Sequence, residues 1–424
     1  MFLSIQLGLL SALNLGIGFL YQWYVFTQLG PGIETDALFA GMTIPQLILV
    51  IITGSLMHVL VPLLAGEDKE QLRRDSWTFI SLITALFSII FFLLYFTAKY
   101  WIPIIVPGFT LNAKNLTITL TKIQLTGIIF AAISSVQWAT YHAKQQFLWA
   151  EFTPIVASIS GFLFLIWALP KFGVIAAAWA FILRMIMQAI FLAPGLGPPM
   201  RPDITNPVLK EAWHRIRPLL FGTVYYKTES VVDRFFLSWS ASGELSLYYF
   251  AQRLYGVVNQ ICNKALTSPM VPLLGKLYKS GDIVQFRHVY YRKLLQMTVL
   301  GCTGLFVLTL IGSQILRLLI GHGNVTADNV QFLWWISIWL GGALIGGMSG
   351  QITSSAFYAS GNTVTPTKLS VCTYTLYLPS KAISFYLWGI AGLAISTSVY
   401  YVVNLLMQIY LLEKTTIGNG IGSR

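Results

Sequence analysis

The feature that most limits what this chain can fold into is the recurrence of long runs without a charged side chain. Residues Trp77 to Tyr95 carry none, and Gly301 to Leu316 and Val399 to Leu412 are runs of the same kind. A bilayer core is crossed by roughly 20 consecutive apolar residues in a helix. Backbone amides find no water there, so each segment must satisfy its own hydrogen bonds, which a helix does and a loop does not. Strands of a membrane barrel would alternate polar and apolar side chains, and these runs do not alternate. Charged residues are only 10% of the chain, against about 25% in a soluble domain. The runs therefore predict an all-α polytopic membrane protein.

Twelve spans are expected, near residues 3–28, 36–64, 77–98, 119–142, 148–169, 173–193, 215–239, 244–274, 293–316, 330–357, 366–387 and 389–413. The second and eighth are long for a bilayer, which predicts tilt or a kink, and Pro45 offers one. The net charge of +12 reads as loop lysines and arginines that set topology rather than as a nucleic-acid surface. Lys69, Arg73, Arg74, Lys144, Arg201, Lys210, Lys276, Lys279, Arg287 and Arg292 follow even-numbered spans, and Lys368, Lys414 and Arg424 fall on the same side. Fewer follow odd-numbered spans: Lys99, Lys114, Lys171 and Arg317, with Lys122 at a helix end. The richer side is expected to be cytoplasmic, with both termini inside. The first run lacks a basic leader and reads as a helix, not a cleaved signal. Cys262, Cys302 and Cys372 lie in apolar segments without CxxC spacing, so neither a disulfide nor a metal site is expected.

The chain also repeats itself. Glu34 through Leu64 aligns without gaps on Glu244 through Leu274, matching Phe39 with Tyr249, Leu56 with Leu266 and Val61-Pro62-Leu63-Leu64 with Val271-Pro272-Leu273-Leu274. A second frame sets Tyr141-His142-Ala143 on Phe357-Tyr358-Ala359, Gly173-Val174 on Gly389-Ile390 and Ala178 on Ala394. Their common order predicts two homologous six-helix halves, residues 1–205 and 206–424, joined by an irregular connection at Gly195 to Pro202. Six is even, so the halves share one orientation. A pseudo-two-fold along the membrane normal is expected, with a binding site at the interface of the halves.

Gly30-Pro31-Gly32-Ile33-Glu34-Thr35-Asp36-Ala37-Leu38-Phe39, then Ile44-Pro45, Val61-Pro62 and Val106-Pro107-Gly108-Phe109, follow one another in a recognisable order. Tyr248-Tyr249-Phe250-Ala251-Gln252-Arg253-Leu254, Pro366-Thr367 and Gly389 to Ser398 continue it. In this order and spacing the chain resembles the MurJ (MviN) family of the multidrug/oligosaccharidyl-lipid/polysaccharide exporter superfamily, over nearly its whole length. The resemblance implies a flippase of the bacterial inner membrane. Its substrate would be an undecaprenyl-pyrophosphate-linked sugar, either lipid II or a related polysaccharide repeat unit, and enzymes of cell-wall or polysaccharide biosynthesis would be partners. The family usually places arginines on its first two helices, where this chain has Leu15, Tyr21 and Val50. It also usually has fourteen helices, whereas twelve are expected here and Ile417 to Arg424 is too short to span.

Ionisable groups inside a membrane are costly and are functional candidates by default. Arg253 is the first choice, because a guanidinium offers a planar fork of donors suited to pyrophosphate oxygens; its structural alternative is an ion pair with Asp36 or Asp233. Lys264, on a similar helical face, could extend a cationic track. The seventh span holds Lys227, Glu229, Asp233 and Arg234. Glu229 and Asp233 would share one helical face and Lys227 and Arg234 another, either lining a water-filled cavity or pairing with neighbouring helices. Glu34 and Asp36 begin the second span; they would cap it against the helix dipole or act as a periplasmic gate. Some superfamily relatives hold a cation near the seventh and twelfth helices, where this chain has Lys381 and Thr397. Lys381 paired with Asp233 would replace the ion.

The five histidines have no metal-binding spacing, and there is no phosphate loop or nucleophile elbow. No cofactor is expected, and the energy source would be an ion gradient, the membrane potential or the substrate gradient. A cation antiporter of the same superfamily is the alternative, disfavoured by Arg253, Lys264 and Lys227. A membrane glycosyltransferase would need an acid or base in a sizeable loop, and a non-transport scaffold would suit the missing arginines.

Overall fold

A computed structural model describes residues 2–66, 68–203, 205–267 and 269–417, and Arg424 lies outside them. Two compact units arise, Met1–Leu245 and Ser246–Arg424. The first holds α1 (Phe2–Leu29), α2 (Ile33–Gly41), α3 (Thr43–Leu64), α4 (Lys69–Ile105), α5 (Leu111–Leu125), α6 (Gly127–Ala143), α7 (Phe147–Phe172), α8 (Val174–Leu192), α9 (Pro207–Lys227) and α10 (Glu229–Leu237). Helix α11 (Glu244–Cys262) carries the chain into the second unit, which continues with α12 (Met270–Lys279), α13 (Ile283–Ile320), α14 (Ala327–Trp339), α15 (Gly341–Ala359) and α16 (Val364–Leu412). Helices α9 and α10 pack on α3, so the boundary between units by contact lies beyond the repeat boundary read near residue 205.

The protein is an all-α, polytopic membrane protein. Among the described residues, eight helices are long and apolar enough to cross a membrane, and α14 with α15, bent by 45°, would make a ninth. By that measure the expected twelve are not reached, because breaks divide the apolar length. The seventh expected span is cut at Thr228, and the eighth is cut by a π-helical turn at Asn263–Thr267. Spans eleven and twelve are joined through Gly389 within α16. In α4 and α13 the uncharged stretches, Ser76 to Ala98 and Leu294 to Leu316, are each roughly 34 Å long at 1.5 Å per residue, a match to a core of about 30 Å. Their outer faces are apolar, with Ile89, Leu93, Phe96, Phe306 and Leu310 all more than half exposed, as a lipid-solvated surface requires.

The duplication shows in local geometry. Thr110 caps α5 by accepting from the Ala113 amide at 3.3 Å, and Thr326 caps α14 by accepting from the Asn329 amide at 3.3 Å. Helix α6 ends at Gln145 with φ 59°, and α15 ends at Gly361 with φ 78°. The same bond closes each turn, Gln146 N to Tyr141 O at 2.9 Å and Asn362 N to Phe357 O at 3.0 Å. Gly173 (φ 57°, ψ −145°) and Gly389 (φ 57°, ψ −136°) reverse the chain in nearly identical conformations, at the positions paired in sequence.

The kink expected at Pro45 lies one turn earlier, at Met42 between α2 and α3. A proline ring clashes with the carbonyl four residues before it, which here is that of Gly41. Pro45 itself sits in the first turn of α3, where its missing amide is not required. The connection at Gly195 to Pro202 is irregular after a 3-10 turn at Ala193–Leu196. The chain beyond it is tied to α4: Asp203 N donates to Thr78 Oγ1 at 2.9 Å, and Asn206 Nδ2 donates to the buried Asp75 Oδ1 at 2.7 Å. Asn206 also caps α9 through the Val208 amide.

Helix contact in the second unit depends on small residues. A Cβ on Gly342 would lie 2.7 Å from Ser398, one on Gly346 2.7 Å from Tyr401, and one on Gly392 1.9 Å from the Ser384 carbonyl. Gly304 faces open space. Gly392→Ala is expected to destabilise by about 1–3 kcal/mol or more through overpacking. Gly304→Ala should be neutral or slightly stabilising. Thermal unfolding of both variants in detergent checks this, and equal melting temperatures would refute it.

Candidate functional site

Three turns converge at one end of the first unit, and they contain the sequence motifs singled out above. The first is folded by Thr35, whose Oγ1 accepts from Gly32 N at 2.9 Å and donates to Gly30 O at 2.9 Å. This aims the buried Asp36 carboxylate outward from α2, where its Oδ2 accepts from Gly243 N at 2.6 Å. Gly243 has φ 92°, and a Cβ on it would lie 3.0 Å from Pro31, so only glycine suits both the conformation and the approach. The third turn enters through Gly108. Its amide donates to Ser238 Oγ at 3.0 Å, and a Cβ there would lie 2.4 Å from the Ser238 carbonyl. Glu244 Oε2 accepts from Ala241 N at 3.1 Å, so Glu244 caps its own helix. Glu34 is exposed.

The charged seventh span does not present one continuous helix. Thr228 interrupts it, its hydroxyl donating to Tyr225 O at 2.6 Å. Lys227, before the break, is exposed. Asp233 and Arg234, after it, are buried, and Glu229 is half-buried. The common face expected for Lys227 and Arg234 is therefore lost, because the break resets the helical phase. Helix α10 packs on α3 and α4.

In the second unit Arg253 lies on α11, half-buried. Its Nε is shielded from solvent and has no hydrogen-bond partner among the described residues. Lys264 is exposed in the π-helical turn that follows. Lys381 is fully buried on α16, with Nζ 4.6 Å from the centre of the Tyr377 ring. Thr397 joins this cluster: the Tyr377 hydroxyl is 2.7 Å and the Tyr248 hydroxyl 3.3 Å from its Oγ1. Tyr400 stacks on Tyr377 at 4.4 Å. One ladder further along, Asn404 Nδ2 donates to Thr373 Oγ1 at 2.8 Å and Gln408 Nε2 donates to Asn404 Oδ1 at 2.7 Å.

Sequence reasoning singled out Lys381 and Thr397 but missed the tyrosines between them and the Asn404–Gln408 ladder. The available signal was the spacing of Tyr374, Tyr377 and Lys381, which places three polar tips on one face of an apolar helix. Tyr21, which stands where the resembling family has arginine, donates its hydroxyl to the Ala177 carbonyl and so pins α1 to α8. Among the described residues no group of three His, Cys, Asp or Glu side chains gathers closely enough to hold a metal ion.

The profile of the family described as "Lipid II flippase MurJ" matches residues 25–422. A "Probable lipid II flippase MurJ" of Buchnera aphidicola subsp. Acyrthosiphon pisum (strain APS) is 24% identical over 419 residues, covering 95% of this chain and 82% of that protein. A "Lipid II flippase MurJ" of Burkholderia cenocepacia is 22% identical, covering 90% and 78%. Among solved structures, "Lipid II flippase MurJ, inward closed conformation" superposes with a TM-score of 0.85 at 19% identity, covering 96% of this chain and 87% of that one. An inward-facing MATE-family multidrug resistance transporter of the MOP superfamily gives 0.81 at 15% identity, covering 97% and 96%. These superpositions show a shared fold.

Asp36→Ala removes the acceptor of a buried amide, which is expected to cost about 1–3 kcal/mol. Asp36→Asn keeps an acceptor oxygen and should lose less. Thermal unfolding of the two variants in detergent reads the difference, and an alanine variant as stable as the parent would show that the contact carries no weight.

Proposed function

We propose that this chain, which belongs to the lipid II flippase MurJ family, moves an undecaprenyl-pyrophosphate-linked sugar across the inner membrane by alternating access. The problem to be solved is the diphosphate. An uncompensated charge in hydrocarbon is costly, whereas the prenyl tail is at home in lipid throughout. Arg253 is the group we assign to the diphosphate. The observation that carries this is its guanidinium Nε, shielded from solvent and without a hydrogen-bond partner among the described residues, a donor not used by the protein itself. Lys264, exposed in the turn after the same helix, would extend the cationic path within the second unit. Lipid II is the substrate printed in the names of the relatives. The uncharged Leu15, Tyr21 and Val50 favour a second reading, a related polysaccharide repeat unit carried on the same lipid, and the enzymes that make that glycan would be the partners.

Asp36 would serve as a gate contact on the periplasmic side, holding the turn that leads into α11, with Glu34 at the same end. This follows if the lysine- and arginine-rich loops and both termini are cytoplasmic. Glu229, Asp233, Lys381 and Thr397 would couple transport to its energy source. Lys381 would act as a cation built into α16 in place of a bound ion.

Arg253→Ala is expected to abolish flipping while leaving the protein folded. Loss of a desolvated diphosphate contact should cost about 2–5 kcal/mol by analogy with buried charge pairs. Vesicles reconstituted with labelled lipid II, or with another glycan on the same carrier, report arrival on the far leaflet. Full activity of the alanine variant would remove the assignment, and the two glycans compared side by side decide between the substrates. With Lys381 as fixed cation, flipping should run at the same rate in sodium and in choline buffer. A strict sodium requirement in the parent protein would end that part of the reading.

A further inference from the structure

Helix α13 carries a second cationic feature that the flipping site does not use. Its uncharged stretch begins at Leu294, so the helix leaves the hydrocarbon at its N-terminal end. Arg292 lies about 3 Å and Arg287 about 10 Å beyond Leu294 along the axis. The headgroup layers add roughly 5–7 Å on each side of the core, so Arg292 stands among the lipid phosphates and Arg287 at their outer edge, within reach of them through its long side chain. Beside these residues the surface carries a shallow, open groove of about 540 Å³ along one face of α13. Its lining includes Val284, Arg287, His288, Tyr291, Arg292 and Leu295, with Ile283 at the end of the helix, and their spacing of three and four puts these six on one helical face.

The chemistry of the groove is divided. Arg287, His288 and Arg292 are exposed and supply donors. Val284 is 78% and Leu295 64% exposed, and they supply apolar surface at the two ends. Glu413 accepts from Arg287 Nε at 3.3 Å and from the Tyr291 hydroxyl. This ties Arg287 and Tyr291 to Glu413, whereas Arg292 makes no ion pair among the described residues. An occupant must be anionic, sit at headgroup depth and offer apolar groups toward the bilayer.

We propose that this groove binds one anionic glycerophospholipid, with its phosphate held by Arg287 and Arg292 and its acyl chains running down past Leu295. Basic side chains at the membrane boundary are suited to such headgroups, and an open groove leaves the acyl chains in contact with the bilayer. The site is separate from Arg253, so it stands or falls independently of the flippase reading.

The test uses the full chain purified in detergent, titrated with phosphatidylglycerol and with phosphatidylcholine of the same chain length, with binding read by native mass spectrometry. The parent protein should take one phosphatidylglycerol in preference to phosphatidylcholine. Arg287→Gln with Arg292→Gln should weaken that binding roughly thirtyfold, and Arg292→Gln alone, which leaves the Glu413 contact in place, roughly fivefold. Lys210→Gln with Lys368→Gln removes the same charge elsewhere and should change nothing. Unchanged affinity in the groove variants, or an equal loss in the control pair, overturns the proposal. So does binding that appears only after residues 418–424 are deleted, which would make the chain's own tail the occupant. Displacement by an equal concentration of inorganic phosphate would make the groove a simple anion site and also overturns it.

Discussion

A backbone amide inside hydrocarbon has no water to bond to, and the placement of every break in this chain follows from that. Where the helices are interrupted, the amides stay paired. Met42 N bonds Leu38 O at 3.0 Å and Gln46 N bonds Met42 O at 2.9 Å, so α2 passes into α3 without an open end. At Thr228 the amides of Val231 and Val232 both return to the Thr228 carbonyl. The sharp reversals at Gly173 and Gly389 use glycine at positive φ. Serine and threonine hydroxyls along the spans mostly return to the carbonyl one turn back, as Ser135 does to Ala131 and Thr121 to Thr117. Such bonds let a polar residue enter the membrane without seeking a partner on another helix.

The same constraint explains what the family-like motifs are for. Gly30 to Asp36, the Gly108 turn and the Gly243 turn hold no reacting group, and they lie at one end of the first unit. There the chain must leave its helices, and the exposed amides are taken up by Asp36 and Ser238. Glycine recurs because the backbones approach to within a Cβ's reach. Motif glycines and carboxylates of this kind maintain a turn cluster on which the start of α11 depends.

Positive charge is used in several distinct ways. Arg253 and Lys381 are held within the protein, where a cation is costly and its retention points to transport. Arg287 and Arg292 stand at the boundary, where a cation is inexpensive and anionic lipid is at hand. The high net charge is thus divided between groups held within the protein and groups at its boundary.

How much of this was legible beforehand depends on the range of the interaction. The uncharged runs alone determined that the chain is helical and membrane-spanning, because the bilayer dictates length and composition over some twenty neighbouring residues. Order and spacing pointed to a repeat, at whose paired positions the caps of Thr110 and Thr326 and the turns of Gly173 and Gly389 recur, and they determined the family. Pattern could not fix partners far apart in sequence. Asp36 reads as a helix cap, yet it accepts from Gly243; Lys227 and Arg234 read as one face, yet with a break at Thr228 between them one is exposed and the other buried. Helical periodicity relates only residues within a few turns of each other. Which distant amide, carbonyl or ring a polar side chain meets was decided by the packing of helices in the tertiary structure.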